Sequence, residues 1–270
     1  MGQIRAMSAM THVRLPNRGL LRVSGEDAED FLQNLVSNNI ARASADTAVY
    51  ATLLTPQGKF LHDFFAIRDD AGFLLDCEAD RLPDLKRRLT LYKLRAKVEL
   101  SDETENWQVL AILNGEAEGA LVFADPRHDG MGRRAILPAE TTVEGDEAPF
   151  EAYEARRIGL GLPDGSRDIE VEKSFLLEHR MDEFNAIDFK KGCYVGQELT
   201  ARTKYRGNVR KKLTRVAVEG DLPEPGTPVL ADGIEVGTIR TGLGGEALAV
   251  LRIERPDGDL EAGSARITPL

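Results

Sequence analysis

The segment "DFKKGCYVGQELTAR", residues 188–202, contains Cys193, one of only two cysteines in the chain. A thiolate forms more readily beside cations or at the start of a helix. Lys190 and Lys191 precede this cysteine, and "GQELTARTKY" can form a helix that begins just after it. We therefore predict that the thiol of Cys193 is ionised and accessible. A tight turn around a buried cysteine is the alternative.

The residues around this cysteine favour a ligand site. Gly192 and Gly196 bracket the thiol and permit positive φ angles or the close approach of a ligand to the backbone. Gln197 and Glu198 add an amide and a carboxylate that suit the edge of a flat heterocycle. Cations surround Tyr205 in the sequence: Arg202, Lys204, Arg206, Arg210, Lys211 and Lys212. This pattern indicates an anionic aromatic ligand, with a solvated helix face as the alternative.

The overall charge argues against several classes of partner. The chain has 270 residues, of which 42% are hydrophobic and 30% charged, and its net charge is −10. An acidic chain disfavours nonspecific contact with nucleic acids or anionic membranes. We therefore predict no stable nucleic-acid binding. The local basic run suggests an RNA-binding module, but this is the weakest of the three functions that we consider; the other two follow below.

The start of the chain bears on where the protein works. No apolar run approaches the roughly 18 to 20 residues that cross a bilayer, so we predict a cytoplasmic protein without membrane contact. Four arginines precede Glu26, the first acidic residue, and this resembles an organellar transit segment. An extended start followed by a first strand is the interpretation that we favour.

The two cysteines do not predict a disulfide or a metal site. Cys77 and Cys193 lie far apart without C-x-x-C spacing. An iron–sulfur cluster held by one chain ordinarily needs about four thiolate ligands, so we expect no permanently bound cluster and no metal site. Cys77 falls in the predicted strand "GFLLDCEA", where we expect it to be a small buried apolar side chain.

Apolar spacing predicts helices and strands in the first half of the chain. In "SGEDAEDFLQNLVSNN" one helical face is apolar, and Ser24 with Asp27 suggests a capping box. That face contains Ala28, Phe31, Leu32, Leu35 and Val36. Two strands follow, joined by the turn Thr55-Pro56-Gln57-Gly58. A second helix, "DRLPDLKRRLTLYKL", places Leu82, Leu85, Leu89 and Tyr92 on one side.

The second half changes from mixed structure to short strands. "NWQVLAIL" and "RRAILP" predict strands, and "EAEGALVFA" between them predicts a short helix. From about residue 208, short alternating strands are divided by Gly, Pro and Asp turns. This pattern is typical of a small β-barrel.

Several segments resemble one family. "KGCYVGQELTAR" closely resembles the signature of the YgfZ family, folate-binding proteins related to the T-protein (aminomethyltransferase) of the glycine cleavage system. "VSGEDAEDFLQNLVSNNI", "LLTPQGKFLHDF", "FADPRHDGMGRR" and "RIGLGLPDG" resemble further blocks of that family. The resemblance implies an α+β fold of three domains around a central folate-sized cavity. The implied domains are 1–104 completed by 151–205, a middle domain 105–150, and a C-terminal β-barrel 206–270.

The resemblance also implies roles for single residues. Cys193 is the implied catalytic thiol. The other motif positions are Lys191, Gly192, Tyr194, Gly196, Gln197 and Glu198, and the implied folate-binding residues are Arg202, Tyr205 and Arg206. Two departures stand out. Ser37-Asn38-Asn39 lacks the carboxylate of the family's T-x-D block, and Gly159 replaces a folate-contacting glutamate of T-proteins.

The function that the resemblance implies is accessory. The protein would bind tetrahydrofolate or a one-carbon derivative, and would support assembly or repair of iron–sulfur clusters in client enzymes through Cys193. Its implied partners are cluster-assembly proteins and clients, with radical-SAM methylthiotransferases of tRNA modification as candidates. A folate-dependent aminomethyl or one-carbon transferase of the T-protein type is the alternative, so whether the protein turns over a substrate stays open.

Overall fold

The computed structural model describes residues 5–6, 10–119, 121–207 and 209–270. The chain forms two compact units. Unit 1 comprises Met1–Leu54, Leu61–Tyr153 and Asn185–Val195, and unit 2 comprises Thr55–Phe60, Glu154–Phe184 and Gly196–Leu270. The domain bounds predicted from the sequence, and the central cavity, stay a prediction.

The strands occur in runs along the chain, and a smaller number of helices separate these runs. The strands are β1 (Arg5–Ala6), β2 (Thr11–Arg14), β3 (Arg18–Ser24), β4 (Val49–Leu54), β5 (Phe60–Asp69), β6 (Gly72–Glu78), β7 (Glu99–Asp102), β8 (Trp107–Asn114), β9 (Ala117–Glu118), β10 (Val122–Ala124), β11 (Arg133–Pro138), β12 (Asp146–Glu147), β13 (Lys211–Glu219), β14 (Pro228–Ala231), β15 (Ile234–Leu243), β16 (Glu246–Arg252), β17 (Leu260–Ala262) and β18 (Ala265–Pro269). The α-helices are α1 (Ala28–Gln33), α2 (Leu82–Lys93), α3 (Phe150–Gly159), α4 (Gly165–Asp168) and α5 (Gln197–Arg206). Short 3-10 helices span Ile40–Arg42, Ala79–Arg81, Thr104–Asn106, Asp129–Met131 and Leu176–His179.

Unit 1 is built on two five-stranded sheets. One has the strand order β4-β5-β6-β3-β7 and the other β10-β11-β8-β2-β12. The predicted hairpin joins β4 to β5, and the amide of Gly58 donates to the carbonyl of Thr55 at 2.8 Å. The inward face of α2 is confirmed for Leu82, Leu85 and Leu89, which are buried, whereas Tyr92 is partly exposed.

Unit 1 also encloses an ionic cluster. Asp76 is fully buried and accepts from Arg18 Nε and Arg134 Nη1, both at 2.6 Å. Asp125 accepts from Arg127 Nη2 at 2.7 Å and from Arg134 Nε at 3.4 Å. Because each buried charge has an opposite partner, the cluster avoids the cost of leaving an ion unpaired.

Unit 2 contains the predicted barrel. Six strands close in the order β13-β16-β15-β14-β17-β18, and β13 also pairs with β18. Alternate side chains fill the interior, for example Val216, Val236, Ile239 and Leu251. The predictions of an α+β chain and a C-terminal β-barrel are therefore confirmed.

A buried arginine ties three elements of unit 2 together. The guanidinium of Arg157, on α3, pairs with Glu154 at 2.6 Å and with Asp168, on α4, at 2.8 Å. Its Nη2 also donates to Thr241 Oγ1, on β15, at 2.7 Å. No part of the Arg157 side chain is exposed.

The first helix is shorter than predicted, and the predicted capping box is wrong. The carboxylate of Asp27 accepts from the amide of Lys97 at 2.7 Å and makes no cap bond within α1. The helix ends at Gln33, and Val36 instead forms a β-bridge with Leu53. The apolar residues of the predicted face are nevertheless buried.

The predicted helix "EAEGALVFA" is also wrong. Within this segment β9 pairs with β1, and β10 pairs antiparallel with β11. Residue 120 of the segment lies outside the described residues, as do residues 1–4 and 7–9 of the transit-like start and residue 208 at the predicted start of the barrel region. Over the described ranges, no helix is both long and apolar enough to span a bilayer.

Candidate functional site

The segment that carries the cysteine is fixed to unit 1 by two polar side chains. Ser37 Oγ donates to the carbonyl of Ala186 at 2.6 Å. Asn38 Nδ2 donates to the carbonyl of Asn185 at 2.7 Å and to that of Tyr50 at 2.8 Å. Ser37 and Asn38 therefore position the Asn185–Val195 segment. They directly precede Asn39, the position at which the family resemblance implies an acidic residue in relatives.

Lys191 anchors the same segment at a second point. Its ammonium donates to the carbonyls of Gln33 and Val36, both at 2.5 Å, and lies 5.2 Å from the centre of the Tyr194 ring. Burial lowers the pKa of the Lys191 ammonium to about 8, and the charge of Asp188 opposes this shift. A cation at a helix C-terminus interacts favourably with the helix dipole. The sequence does not reveal this anchoring role.

The two cysteines differ in accessibility. Cys193 is exposed, whereas the side chain of Cys77 is buried in β6, with its sulfur 3.5 Å from the carbonyl oxygen of Gly19. Burial raises the pKa of the Cys77 thiol above its ordinary value. The prediction of a buried Cys77 is confirmed, and Cys193 carries the accessible thiol of the pair.

The glycines that bracket Cys193 have the backbone conformation that the sequence suggested. Gly192 has φ +100° and Gly196 has φ +82°, and both angles favour glycine. A Cβ added to Gly192 would lie in open space, with no atom from beyond the adjacent residues within 4 Å. Tyr194, between them, is buried. The thiol therefore sits on a turn that is open at Gly192 and anchored at Tyr194.

Helix α5 presents the predicted ligand-binding residues. Gly196 is its N-cap and Gln197 its first residue. Glu198, Arg202, Tyr205 and Arg206 are all exposed, Tyr205 at 71%. Positions separated by three or four residues share one face of a helix, so the two guanidiniums and the Tyr205 ring lie on one side of α5.

Part of the predicted basic run is paired. Lys204 Nζ lies 2.7 Å from the carboxylate of Asp182, and Lys212 Nζ lies 2.9 Å from that of Glu183. Arg202 and Arg206 pair with no carboxylate in the ranges that the structure describes. These two arginines remain available to an anionic ligand.

The turn of the β4-β5 hairpin packs against the start of α5. A Cβ added to Gly58, whose φ is +72°, would lie 3.0 Å from the carbonyl oxygen of Gly196 and 3.2 Å from Cβ of Leu199. Gly58→Ala is expected to destabilise unit 2 by more than the about 1–2 kcal/mol that a left-handed alanine costs, because the added methyl also pushes on α5. Urea denaturation followed by circular dichroism measures the change.

Gly226→Ala is the matched control for this prediction. Gly226 also has a positive φ, +95°, but its Cβ would meet no atom within 4 Å. The control variant should lose only the stability that corresponds to placing alanine in a left-handed backbone conformation. Equal losses of stability in the two variants would show that the contact with α5 does not matter.

The predicted site residues divide between the two units. Lys191, Gly192, Cys193 and Tyr194 belong to unit 1, and the residues from Gly196 to Arg206 belong to unit 2. The prediction that a bound folate faces the Cys193 thiolate stays a prediction. In the described part of the chain, no three His, Cys, Asp or Glu side chains come together as a metal site requires.

Two family profiles match most of this architecture. The GCVT N-terminal domain matches residues 9–123, and the C-terminal beta-barrel domain of CAF17 matches residues 210–270. A crystal structure of glycine cleavage system aminomethyltransferase T from Bartonella henselae superposes with a TM-score of 0.73. That match covers 97% of this chain and 85% of the other at 14% identity, and shows a shared fold.

Curated relatives match over most of the chain. The human iron–sulfur cluster assembly factor IBA57, mitochondrial, is 35% identical, covering 96% of this chain and 82% of the relative. The mouse protein of the same name is 34% identical, and the alignment covers 93% of this chain and 80% of the mouse protein. The Neurospora crassa IBA57 homolog is 36% identical, and the alignment covers 82% of this chain and 56% of that longer protein.

These relatives correct two predictions. They are named mitochondrial, which contradicts the predicted cytoplasmic location, and we withdraw that prediction. The resemblance to a folate-binding family related to aminomethyltransferases is supported at the level of the fold, but the matching names are IBA57 and CAF17, not YgfZ. The chain belongs to the IBA57 family of iron–sulfur cluster assembly factors.

Proposed function

We propose that this protein is a folate-binding accessory factor that supports the assembly or repair of iron–sulfur clusters in client enzymes through the Cys193 thiol. Family membership supports the cluster-related role. The observation that carries the role of the thiol is the exposure of Cys193 on a turn anchored by Lys191. Its partners are cluster-assembly proteins and client enzymes, and radical-SAM methylthiotransferases of tRNA modification are one proposed class of client.

The chemistry of the thiol follows from its accessibility. After losing its proton, Cys193 can donate a sulfur lone pair to an iron of the cluster that is being delivered. Clusters are ordinarily held by about four cysteine thiolates, and the other cysteine of this chain, Cys77, is buried. In this proposal, Cys193 supplies one ligand to the cluster and the remaining ligands come from partners or small thiols.

The exposed face of α5 fits the ligand that the family resemblance implies. Arg202 and Arg206 would hold the carboxylates of the glutamyl tail of tetrahydrofolate, and the ring of Tyr205 offers a face for stacking. When bound, tetrahydrofolate supplies a carrier of one-carbon groups. The residues of this chain supply charge neutralisation and orientation.

Replacing the thiol tests the function in cells. Cys193→Ala is expected to abolish rescue of iron–sulfur enzyme activity in cells that lack the endogenous protein, because no other exposed thiol is available among the two cysteines. The accumulated level and the melting temperature of the variant should be unchanged, since Cys193 is exposed. Cys77→Ala is the control that removes the other sulfur and should retain rescue. Full rescue by Cys193→Ala would refute the proposed use of the thiol.

Replacing the arginines tests the folate site. The double variant Arg202→Gln, Arg206→Gln should bind tetrahydrofolate at least tenfold more weakly, because each charge-assisted hydrogen bond contributes about 1.5–3 kcal/mol. Calorimetric titration under anaerobic conditions measures the affinity. Arg255→Gln, in an exposed loop of the barrel unit, is the control for lost charge. Unchanged affinity in the double variant would place the ligand elsewhere.

Aminomethyl transfer remains the alternative function. An amide cannot act as a general base, and the side chains of Asn38 and Asn39 donate to or accept from backbone groups. A turnover assay with an aminomethylated carrier protein and tetrahydrofolate distinguishes the two. Product formation would favour the alternative.

A further inference from the structure

The four residues around the thiol, Lys191–Tyr194, alternate in exposure in a way that orients the sulfur. Gly192 and Cys193 are exposed, whereas Tyr194 is buried and Lys191 is half-buried. The two end residues therefore turn their side chains toward unit 1, and the two middle residues face solvent. We call the side chains of Lys191 and Tyr194 the clasp.

The clasp joins both ends of the turn to fixed backbone. The Lys191 ammonium donates to the carbonyls of Gln33 and Val36 and lies 5.2 Å from the centre of the Tyr194 ring. An ammonium has three donors, and the face of an aromatic ring attracts a cation. Gln33 is the last residue of α1, and Val36 is bridged to Leu53. One ammonium thus holds the turn closed against two secured points.

The chain that enters the turn is fixed as well. The amide of Asp188 donates to the carbonyl of Ser37 at 3.1 Å, and its carboxylate accepts from the amide of Lys190 at 2.7 Å. The other carboxylate oxygen of Asp188 lies 2.9 Å from the guanidinium of Arg42. The backbone is therefore held as far as Lys190, directly before the turn.

Between this fixed entry and the thiol lies a residue with few restraints of its own. Gly192 has φ +100°, and glycine adopts positive and negative φ about equally well. A Cβ added there would meet no atom from beyond the adjacent residues within 4 Å, so no packed side is available to hold this residue. The contacts of the clasp are therefore what restrict the position of the Cys193 sulfur.

We propose that Lys191 and Tyr194 are positioning residues for the iron–sulfur chemistry of Cys193. They act through the turn and hold the sulfur outward in one orientation, so that it loses little freedom when it binds an iron of the incoming cluster. Groups that orient a metal ligand typically change affinity or activity about 10–100-fold when they are replaced. The inference rests on the proposed use of the Cys193 thiol and adds the two side chains that orient it.

A spin label on the thiol tests this orientation without any cluster. A methanethiosulfonate nitroxide is attached to Cys193 in the Cys77→Ala chain, and its electron paramagnetic resonance spectrum is recorded. The parent should show a slow component, and Lys191→Met and Tyr194→Leu should each add a fast component, because the turn is no longer held closed. Lys190→Met is the matched control: it removes a neighbouring exposed charge but no contact of the clasp, and its spectrum should match the parent.

Two results of this experiment would overturn the proposal. One is a set of unchanged spectra in both clasp variants. The other is a fast component that dominates the spectrum of the parent, which would decide against the clasp even if the variants failed to fold. The melting temperature of each variant is recorded with its spectrum, so that loss of the fold is recognised.

Iron delivery in cells distinguishes failure of this inference from failure of the proposed function. Cells that lack the endogenous protein receive wild-type chain, Lys191→Met, Tyr194→Leu or Cys193→Ala, and labelled iron in an immunoprecipitated client enzyme is counted. At equal protein levels, each clasp variant should lower incorporation about 10–100-fold. Full incorporation with both clasp variants, but background with Cys193→Ala, would refute the clasp and leave the proposed function intact. Full incorporation with Cys193→Ala would refute the proposed function, and this inference with it.

Discussion

Asp76→Ala is expected to lower the stability of unit 1 by about 3–5 kcal/mol, the range found when one partner of a buried ion pair is removed. The carboxylate of Asp76 is fully buried and neutralises both Arg18 and Arg134. Its loss leaves two buried guanidiniums with one fewer compensating charge. Trp107, the single tryptophan, lies on β8 in unit 1, so its fluorescence during urea denaturation reports this change.

An exposed ion pair of unit 1 provides the control. Glu29 pairs with Arg68, and both side chains are more than a third exposed. Glu29→Ala should change the stability by no more than about 1 kcal/mol, because surface ion pairs contribute little. Similar midpoints for the two variants would mean that the buried cluster does not stabilise unit 1.

Arg157→Met should lower the stability of unit 2 by about 3–5 kcal/mol, an amount similar to the loss expected for Asp76→Ala in unit 1. The substitution leaves the buried carboxylate of Asp168 without its guanidinium and removes the bond to Thr241. Hydrogen exchange of the barrel amides, read by mass spectrometry, localises the loss to this unit. Asp259→Ala, which breaks an exposed ion pair with Arg266, is the control. Unchanged exchange in Arg157→Met would contradict the stabilising role.

Arg157 also makes the stability of unit 2 depend on pH. Burial raises the pKa of Glu154, but hydrogen bonds and charge from Arg157 and Arg167 outweigh it, so the pKa is lowered from 4.5. A lowered pKa in the folded state contributes stability that is present above the unfolded value and lost as the pH falls through the folded value. Arg157→Met should therefore flatten the acid limb of the stability profile.

Local patterns predicted the parts of the fold whose partners are close in sequence. The Thr55–Gly58 turn, α5 after Gly196 and the hairpins of the barrel depend on neighbouring residues. Positive φ at Gly192 and burial of Cys77 also follow from residue type and strand position. For these features, the sequence signal and the physical cause are the same.

Contacts between distant residues explain what the sequence could not show. Asp27 bonds to Lys97, 70 positions away, so it does not cap α1. Lys191 was predicted as a cation beside the thiol, but its ammonium donates to the carbonyls of Gln33 and Val36. Gln33 lies 158 positions from Lys191 and Val36 lies 155, and no local sequence pattern links residues so far apart. The segment 116–124 has helical composition, but pairing with β1 and β11 makes its described parts strands.

The most direct test of the central claim follows radioactive iron into a client enzyme. Cells that lack the endogenous protein receive wild-type chain, Cys193→Ala or Cys77→Ala, and the client is immunoprecipitated after a pulse of labelled iron. The account predicts background incorporation with Cys193→Ala and full incorporation with Cys77→Ala, at equal protein levels. Equal incorporation in all three would contradict it, because the exposed sulfur would then take no part in cluster assembly.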